Sequence, residues 1–301
     1  MAEEVNTQTN MIPRANSYFS GMGLMDMGLM EAGVDVRQSV DLDKDAIDSM
    51  KLNKHRFNHQ IVWKDIKEMK VLNQIDCDVM VMTYPCTKYS TAGDIHGTRT
   101  GDDLYLHAFR HIALKQPEMY VLENVPGMKK FPIVMEAMSK LPQYYVTVFC
   151  PVETTNWLPQ KRDRLIMIAS KKPFSVQHPV SERRVSMKDI VEKDVEMDIP
   201  DYIYNRINGD YRDMPIIVDN ETGIAPTCVA HYQKDQGTRM VKDRRYPHGI
   251  RPFTIREYAR LQGVPDDIKF SGKKSDYRLI GNGVPVPMAR WVGTQIMRYF
   301  N

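Results

Sequence analysis

Cys86 stands directly after Pro85 at the end of the apolar run 78–82, within Thr83-Tyr84-Pro85-Cys86-Thr87-Lys88-Tyr89-Ser90. If that run is a strand, the thiol lies at the carboxyl edge of a sheet, where an open α/β protein keeps its ligands. A thiolate at such an edge can act as the nucleophile of covalent catalysis. A second strand-like run, 119–122, leads into Glu123-Asn124-Val125 and brings a carboxylate to the same rim. The other cysteines, Cys77, Cys150 and Cys228, are scattered, with no Cys-x-x-Cys pair and no adjacent histidine to suggest a metal. They are read as small buried residues.

The elements that must position these groups alternate in kind over the first 170 residues. Strands are expected at 16–20, 36–41, 60–63, 78–83, 119–123, 145–149 and 164–169, with amphipathic helices between most of them, such as 43–54 and 104–115. That is a βαβ chain, hence a mostly parallel sheet with helices on both faces. After Lys171-Lys172-Pro173 the pattern breaks into short strands, turns and charges, read as a smaller second domain. Helical periodicity returns at 254–262 and 286–300. The expected division is 12–172, then 173–265, then a segment 266–301 that returns to the first part.

The first strand runs into Phe19-Ser20-Gly21-Met22-Gly23, with Gly28 beyond it. Glycines at a strand-to-helix turn let a ligand approach the backbone, and an acidic residue about 20 positions on can grip a ribose. Asp41 holds that place. The third glycine of a dinucleotide fingerprint is missing, which suits an adenosine-type ligand without a pyrophosphate. Asp65-Ile66, after the third strand, could meet an adenine, though a surface Asp explains the carboxylate as well.

Charge is uneven. The net value is +3, but residues 1–150 carry 16 Lys+Arg against 19 Asp+Glu, and residues 151–301 carry 25 against 19. Residues 234–260 hold eight basic side chains and three acidic ones, a patch suited to a polyanion or else a solvated basic face. The hydrophobic fraction of 42% and charged fraction of 26% are ordinary for a globular protein. No apolar run reaches membrane-spanning length and the polar start lacks a signal-peptide pattern, so a cytoplasmic, nucleoid-associated protein is expected.

In chain order the sequence shows Phe-Ser-Gly-x-Gly (19–23), Pro-Cys-x-x-x-Ser (85–90), Glu-Asn-Val (123–125), Gln-x-Arg-x-Arg (160–164), Arg-x-x-Thr-x-Arg-Glu-x-Ala-Arg-x-Gln (251–262) and Gly-Asn-x-Val (281–284). These six resemble the DNA cytosine-5 methyltransferases, in the family's order, from about residue 15 to 301. Thr83-Tyr84 departs from the family's usual Gly and Pro or Phe before Pro-Cys, Thr87 replaces a frequent Gln, and Asp41 stands where Glu is usual.

The resemblance implies a Rossmann-like S-adenosylmethionine-dependent fold with a small target-recognition domain, and a flipped cytosine methylated at C5 in a short duplex site. It implies Cys86 as nucleophile, Glu123 at the base's N3, Arg164 at O2, and Arg162 holding the catalytic loop or a phosphate. For S-adenosylmethionine it implies Phe19, Ser20, Gly21, Gly23, Asp41, Leu42, Asp65, Ile66, Pro85, Leu104, Asn282 and Val284. For DNA it implies Ser90, Arg99 in the loop 94–103, Gln160 and Thr227, to which the basic run adds Arg244 and Arg245. A monomer is expected, with duplex DNA as partner and a companion restriction endonuclease as a further candidate; no metal is needed. An RNA cytosine methyltransferase is the alternative, set back because Val229 follows Cys228 where the tRNA-methylating branch has Cys-Phe-Thr. A silent nucleic-acid binder is opposed by the presence of Cys86, Glu123 and Arg164 together.

Overall fold

The computed structural model describes residues 11–85, 104–209 and 216–301. Within them, β1 (Arg14–Tyr18), β2 (Asp35–Asp41), β3 (Gln60–Trp63), β4 (Val79–Met82), β5 (Met119–Asn124), β6 (Tyr145–Glu153) and β7 (Asp163–Ser170) form one sheet. Its order is β3-β2-β1-β4-β5-β7-β6. The first five strands are parallel, and their central members are buried throughout, as a sheet covered on both faces requires. The chain winds outward from β1 to β3 and then restarts at β4, so a crevice opens between the carboxyl ends of β1 and β4.

β7 runs antiparallel to both β5 and β6. This reversal decides the chemistry. It brings the start of β7, rather than its end, to the carboxyl end of β5, with Asn124 opposite Leu165 and Glu123 opposite Ile166. Side chains alternate along a strand, so Arg164 shares the face of Ile166 and Glu123 and is the latter's diagonal neighbour.

Helices α1 (Leu24–Glu31) and α9 (Val286–Phe300) pack together on one face, with α3 (Leu104–Lys115) and α4 (Pro132–Ser139) on the other. A Cβ at Gly28 would lie 2.5 Å from the Cβ of Ala289. Gly28 therefore serves the contact between α1 and α9 and not a ligand. Helix α2 (Lys44–Leu52) follows β2 and is capped by Asp43, whose carboxylate accepts from the Asp45 amide at 3.0 Å.

The later part of the chain holds α5 (Met187–Ile190), α6 (Asp201–Asn208) and a small sheet of β8 (Ile216–Val218), β9 (Arg239–Lys242) and β10 (Ile250–Pro252), ordered β10-β9-β8. Two further helices, α7 (Ile255–Arg260) and α8 (Ser275–Asn282), lead back to the first sheet. One apolar cluster joins Met50 and Phe57 to Tyr232, Phe253 and Tyr258, so the two parts of the chain share a core. No helix among the described residues is long and apolar enough to cross a membrane.

Candidate active site

A cleft of about 580 Å³ opens at the carboxyl ends of β1, β2, β4 and β5. Its floor is the turn after β1. Gly21 has φ +56°, and a Cβ there would enter open space with no atom within 4 Å. Phe19 also adopts a positive φ, 60°, rare for a bulky residue and a strain that persists only where the surroundings impose it. The Phe19 carbonyl accepts from Thr83 Oγ1 at 2.9 Å, which ties the β1 turn to the end of β4. Ser20 Oγ bonds to Ser17 at 3.0 Å and accepts from the Val40 amide.

At one end of the cleft, Asp41 accepts from the Gly21 amide through Oδ2 and from the Asp43 amide through Oδ1, each at 2.7 Å. Burial raises its pKa against these bonds. Leu42, Asp65, Ile66, Leu104, Asn282 and Val284 line the same space. Asp65 also caps a 3-10 turn, accepting from the Lys67 amide at 2.9 Å.

At the other end lie Pro85, Glu123, Arg162 and Arg164. Glu123 is 7% exposed, and its Oε1 receives Arg164 Nε at 2.7 Å. Burial pushes the Glu123 carboxyl up, outweighing both arginines. Asn124 donates from Nδ2 to the Tyr84 carbonyl at 3.1 Å, so the Glu-Asn-Val segment fixes the strand end that delivers Pro85.

Cys86, Ser90 and Arg99 lie outside the described residues, as does the loop 94–103. Gly23 is not part of the cleft wall: it has φ +83° at the start of α1, and a Cβ there would meet the Phe57 ring at 2.5 Å. In this structure it serves the turn and the packing against Phe57.

Gln160 and Arg162 also depart from expectation. Gln160 is fully buried; its amide donates to Leu261 O at 2.6 Å and Gln262 Oε1 at 3.1 Å and accepts from the Cys228 amide at 2.9 Å. An amide so enclosed has no face for DNA. Arg162 donates to the carbonyls of Cys228, Gly281 and Gly283 at 2.7, 2.9 and 2.8 Å, so it clamps protein backbone. Burial and Arg164 lower its pKa, but a guanidinium stays protonated. Thr227 is held beside them, its Oγ1 donating to Lys161 O at 2.7 Å.

The basic run largely disperses. Arg251 is fully buried between Asp243 at 2.8 Å and Glu257 at 2.6 Å. Arg256 donates to Ile268 O and lies over the Phe270 ring, and Arg260 pairs with Asp266. Arg245 pairs with Asp243 at 2.8 Å and donates to the Lys193 carbonyl. Arg244 is exposed. Charge counted along the sequence could not show that the structure had used it.

Sequence reading missed the support beneath the glycine turn. Asp26, in the first turn of α1, is fully buried and accepts from Ser39 Oγ at 2.7 Å; Ser39 Oγ also lies 2.7 Å from His59 Nε2. The available signal was a carboxylate inside the otherwise apolar stretch 24–29.

A doubly wound, mostly parallel sheet with its cleft at the carboxyl ends places the chain in the Rossmann-like class of folds. The Entamoeba histolytica methyltransferase EhMeth shares this fold at a TM-score of 0.77 and 19% identity, covering 96% of this chain and 98% of that one. The S. pombe Dnmt2 methyltransferase does so at 0.75 and 19%, covering 96% and 99%. The family model of C-5 cytosine-specific DNA methylases matches residues 14–298, and the chain belongs to that family. The Type II methyltransferase M.Sau96I of Staphylococcus aureus is 25% identical over 94% of this chain and 75% of its own length. M.Bsp6I of Bacillus sp. (strain RFL6) is 25% identical over 94% and 98%. The chain is a DNA cytosine-5 methyltransferase.

Proposed function

We propose that this enzyme methylates C5 of a flipped-out cytosine in a short specific duplex site, using S-adenosylmethionine and a covalent bond from Cys86 to C6. The observation that carries the reading is the buried Glu123–Arg164 pair at 2.7 Å on the cleft wall beside Pro85. Cys86 follows Pro85 directly in the chain.

The cleft suits the cofactor: its volume is in the range of small-molecule sites, Gly21 leaves open space, and the Asp41 oxygens each keep a lone pair for a ribose hydroxyl. When bound, S-adenosylmethionine supplies an electrophilic methyl group. C5 of cytosine is a poor nucleophile until C6 is attacked. Addition of the Cys86 thiolate to C6 drives electrons toward N3, where Glu123 places a proton and leaves an enamine nucleophilic at C5. Glu123 is built for this, because Oε1 is engaged by Arg164 and burial favours keeping a proton on the carboxyl. Arg164 supports the charge at O2. Once C5 carries the methyl group and the cofactor remains as its neutral thioether, loss of the C5 proton to a base, departure of the thiolate and return of the N3 proton to Glu123 restore the neutral aromatic base.

A base inside a duplex cannot reach such a cleft, so flipping is part of the reading. Residues 173–265 would serve as the recognition region, with Thr227 near the target, between a catalytic part (12–172) and a returning segment (266–301). The Type II names of the relatives support a role beside a restriction endonuclease. The test is nucleoside mass spectrometry on genomic DNA from a methylation-free host expressing the protein or Cys86→Ala. New 5-methylcytosine with the intact protein alone is expected. None, from a folded protein that binds cofactor, would overturn the DNA assignment and direct the search to RNA; product from Cys86→Ala would remove the covalent step.

A further inference from the structure

Asp41 has little slack. Its side chain is short, and both oxygens are fixed by backbone amides, Gly21 on one side and Asp43 on the other, each at 2.7 Å. Where the carboxylate points therefore depends on where the 41–43 turn is held. Two more carboxylates, Asp43 and Asp45, crowd that turn, and their charge opposes ionised Asp41.

Arg278, on α8 and more than 230 residues away in sequence, meets this turn from the other side of the cleft. Its Nη1 donates to Asp43 Oδ2 and its Nη2 to Asp45 Oδ2 at 3.4 Å. Lys273, just before α8, adds a bond to Asp45 Oδ1 at 3.2 Å. The next residues of the same helix, Leu279, Gly281 and Asn282, line the cleft. The bonds thus run without a break from Arg278 through the Asp43 carboxylate to its backbone amide, then to Asp41 and Gly21.

We propose that Arg278 is a positioning residue for the cofactor's ribose: by holding and neutralising Asp43 and Asp45 it aims the Asp41 carboxylate at the sugar hydroxyls. This rests on reading Asp41 as the ribose acceptor. Arg278 itself touches no reacting atom. The same contact ties α8, which carries part of the cleft wall, to the turn that carries Asp41. Loss of the guanidinium leaves the Asp43 carboxylate without its cationic partner beside Asp41, while Lys273 still holds Asp45.

The test is calorimetric binding of S-adenosylhomocysteine and of its 2′,3′-dideoxyribose analogue to the wild type, Asp41→Ala, Arg278→Ala and Arg278→Lys. Bonds from hydroxyls to a carboxylate should make the wild type prefer the parent compound by roughly ten- to a hundredfold. Asp41→Ala should lose that preference, Arg278→Ala should lose most of it, and Arg278→Lys should restore part. If Arg278→Ala weakens both compounds equally, or neither, while Asp41→Ala loses the preference, Arg278 is structural only and the proposal falls. If Asp41→Ala keeps the preference, the ribose assignment fails, and the role of Arg278 with it. Should Arg278→Ala fail to fold, Arg278→Lys carries the same comparison: a preference unchanged from wild type overturns the proposal, and one between wild type and Asp41→Ala supports it.

Discussion

Arg162 and Cys228, 66 residues apart, are joined by a 2.7 Å bond from the guanidinium to the Cys228 carbonyl. Gln160 makes a second link, accepting from the Cys228 amide at 2.9 Å. The segment that leads into β7, the strand that carries Arg164 into the cleft, therefore also holds the segment bearing Thr227. The short stretch 160–164 thus ties the cleft wall to the segment around Cys228, in addition to the apolar core that the two parts share.

Arg162→Lys should destabilise the protein by about 2–5 kcal/mol, because an ammonium cannot reach three carbonyls in the plane of a guanidinium and a buried unpaired carbonyl costs about 1–3 kcal/mol. Urea unfolding checks this. A midpoint equal to wild type would mean the three bonds contribute nothing net.

Glu123 gives a pH dependence of definite sign. Its folded-state pKa is raised by burial, so between the unfolded and folded values the native state binds more protons than the unfolded state. Stability from this group is full below the unfolded value and is lost as pH rises through the folded one. Relative to wild type, Glu123→Gln should gain stability as pH increases from about 4.5 upward. Paired denaturation curves over that range should diverge; parallel curves would show that the carboxyl is not perturbed.

Arg251 and Arg244 should behave oppositely although both are arginines of one basic run. Removing Arg251 leaves Glu257 buried without its cationic partner, Asp243 keeping Arg245, and should cost about 3–5 kcal/mol. Arg244→Ala should change stability by less than about 0.5 kcal/mol. If Arg244 meets a phosphate, its loss should lower the salt slope of DNA binding by about 0.9. A slope unchanged in that variant would take Arg244 out of the interface.

Asn124→Ala should act on the chemical step. Without the bond to the Tyr84 carbonyl the end of β4 is free to shift, and displacement by about 1 Å can cost a hundredfold in rate. A fall in kcat of roughly ten- to a hundredfold with cofactor affinity near wild type is expected. Loss of cofactor affinity instead would assign Asn124 to the binding end of the cleft.

The sequence by itself determined the elements and their order. Val79–Met82 and residues 119–122 are apolar runs that read as covered strands, and the second leads straight into Glu123-Asn124, so the rim and that carboxylate were legible locally. The periodicity of α3 and α9 gave their bounds to the residue or nearly so. What tertiary structure decided was which charges were already spent. Arg251 and Arg244 look alike in sequence, yet one is enclosed by Glu257 and Asp243 and the other faces solvent, because burial depends on contacts between residues distant in the chain. The same holds for Gln160, whose partners lie about a hundred residues away, and for Arg278, which reaches Asp43 across the cleft. Even the Glu123–Arg164 pair needed β7 to run antiparallel; pattern reads a strand but not its direction, and a parallel β7 would have put Arg164 at the opposite edge of the sheet.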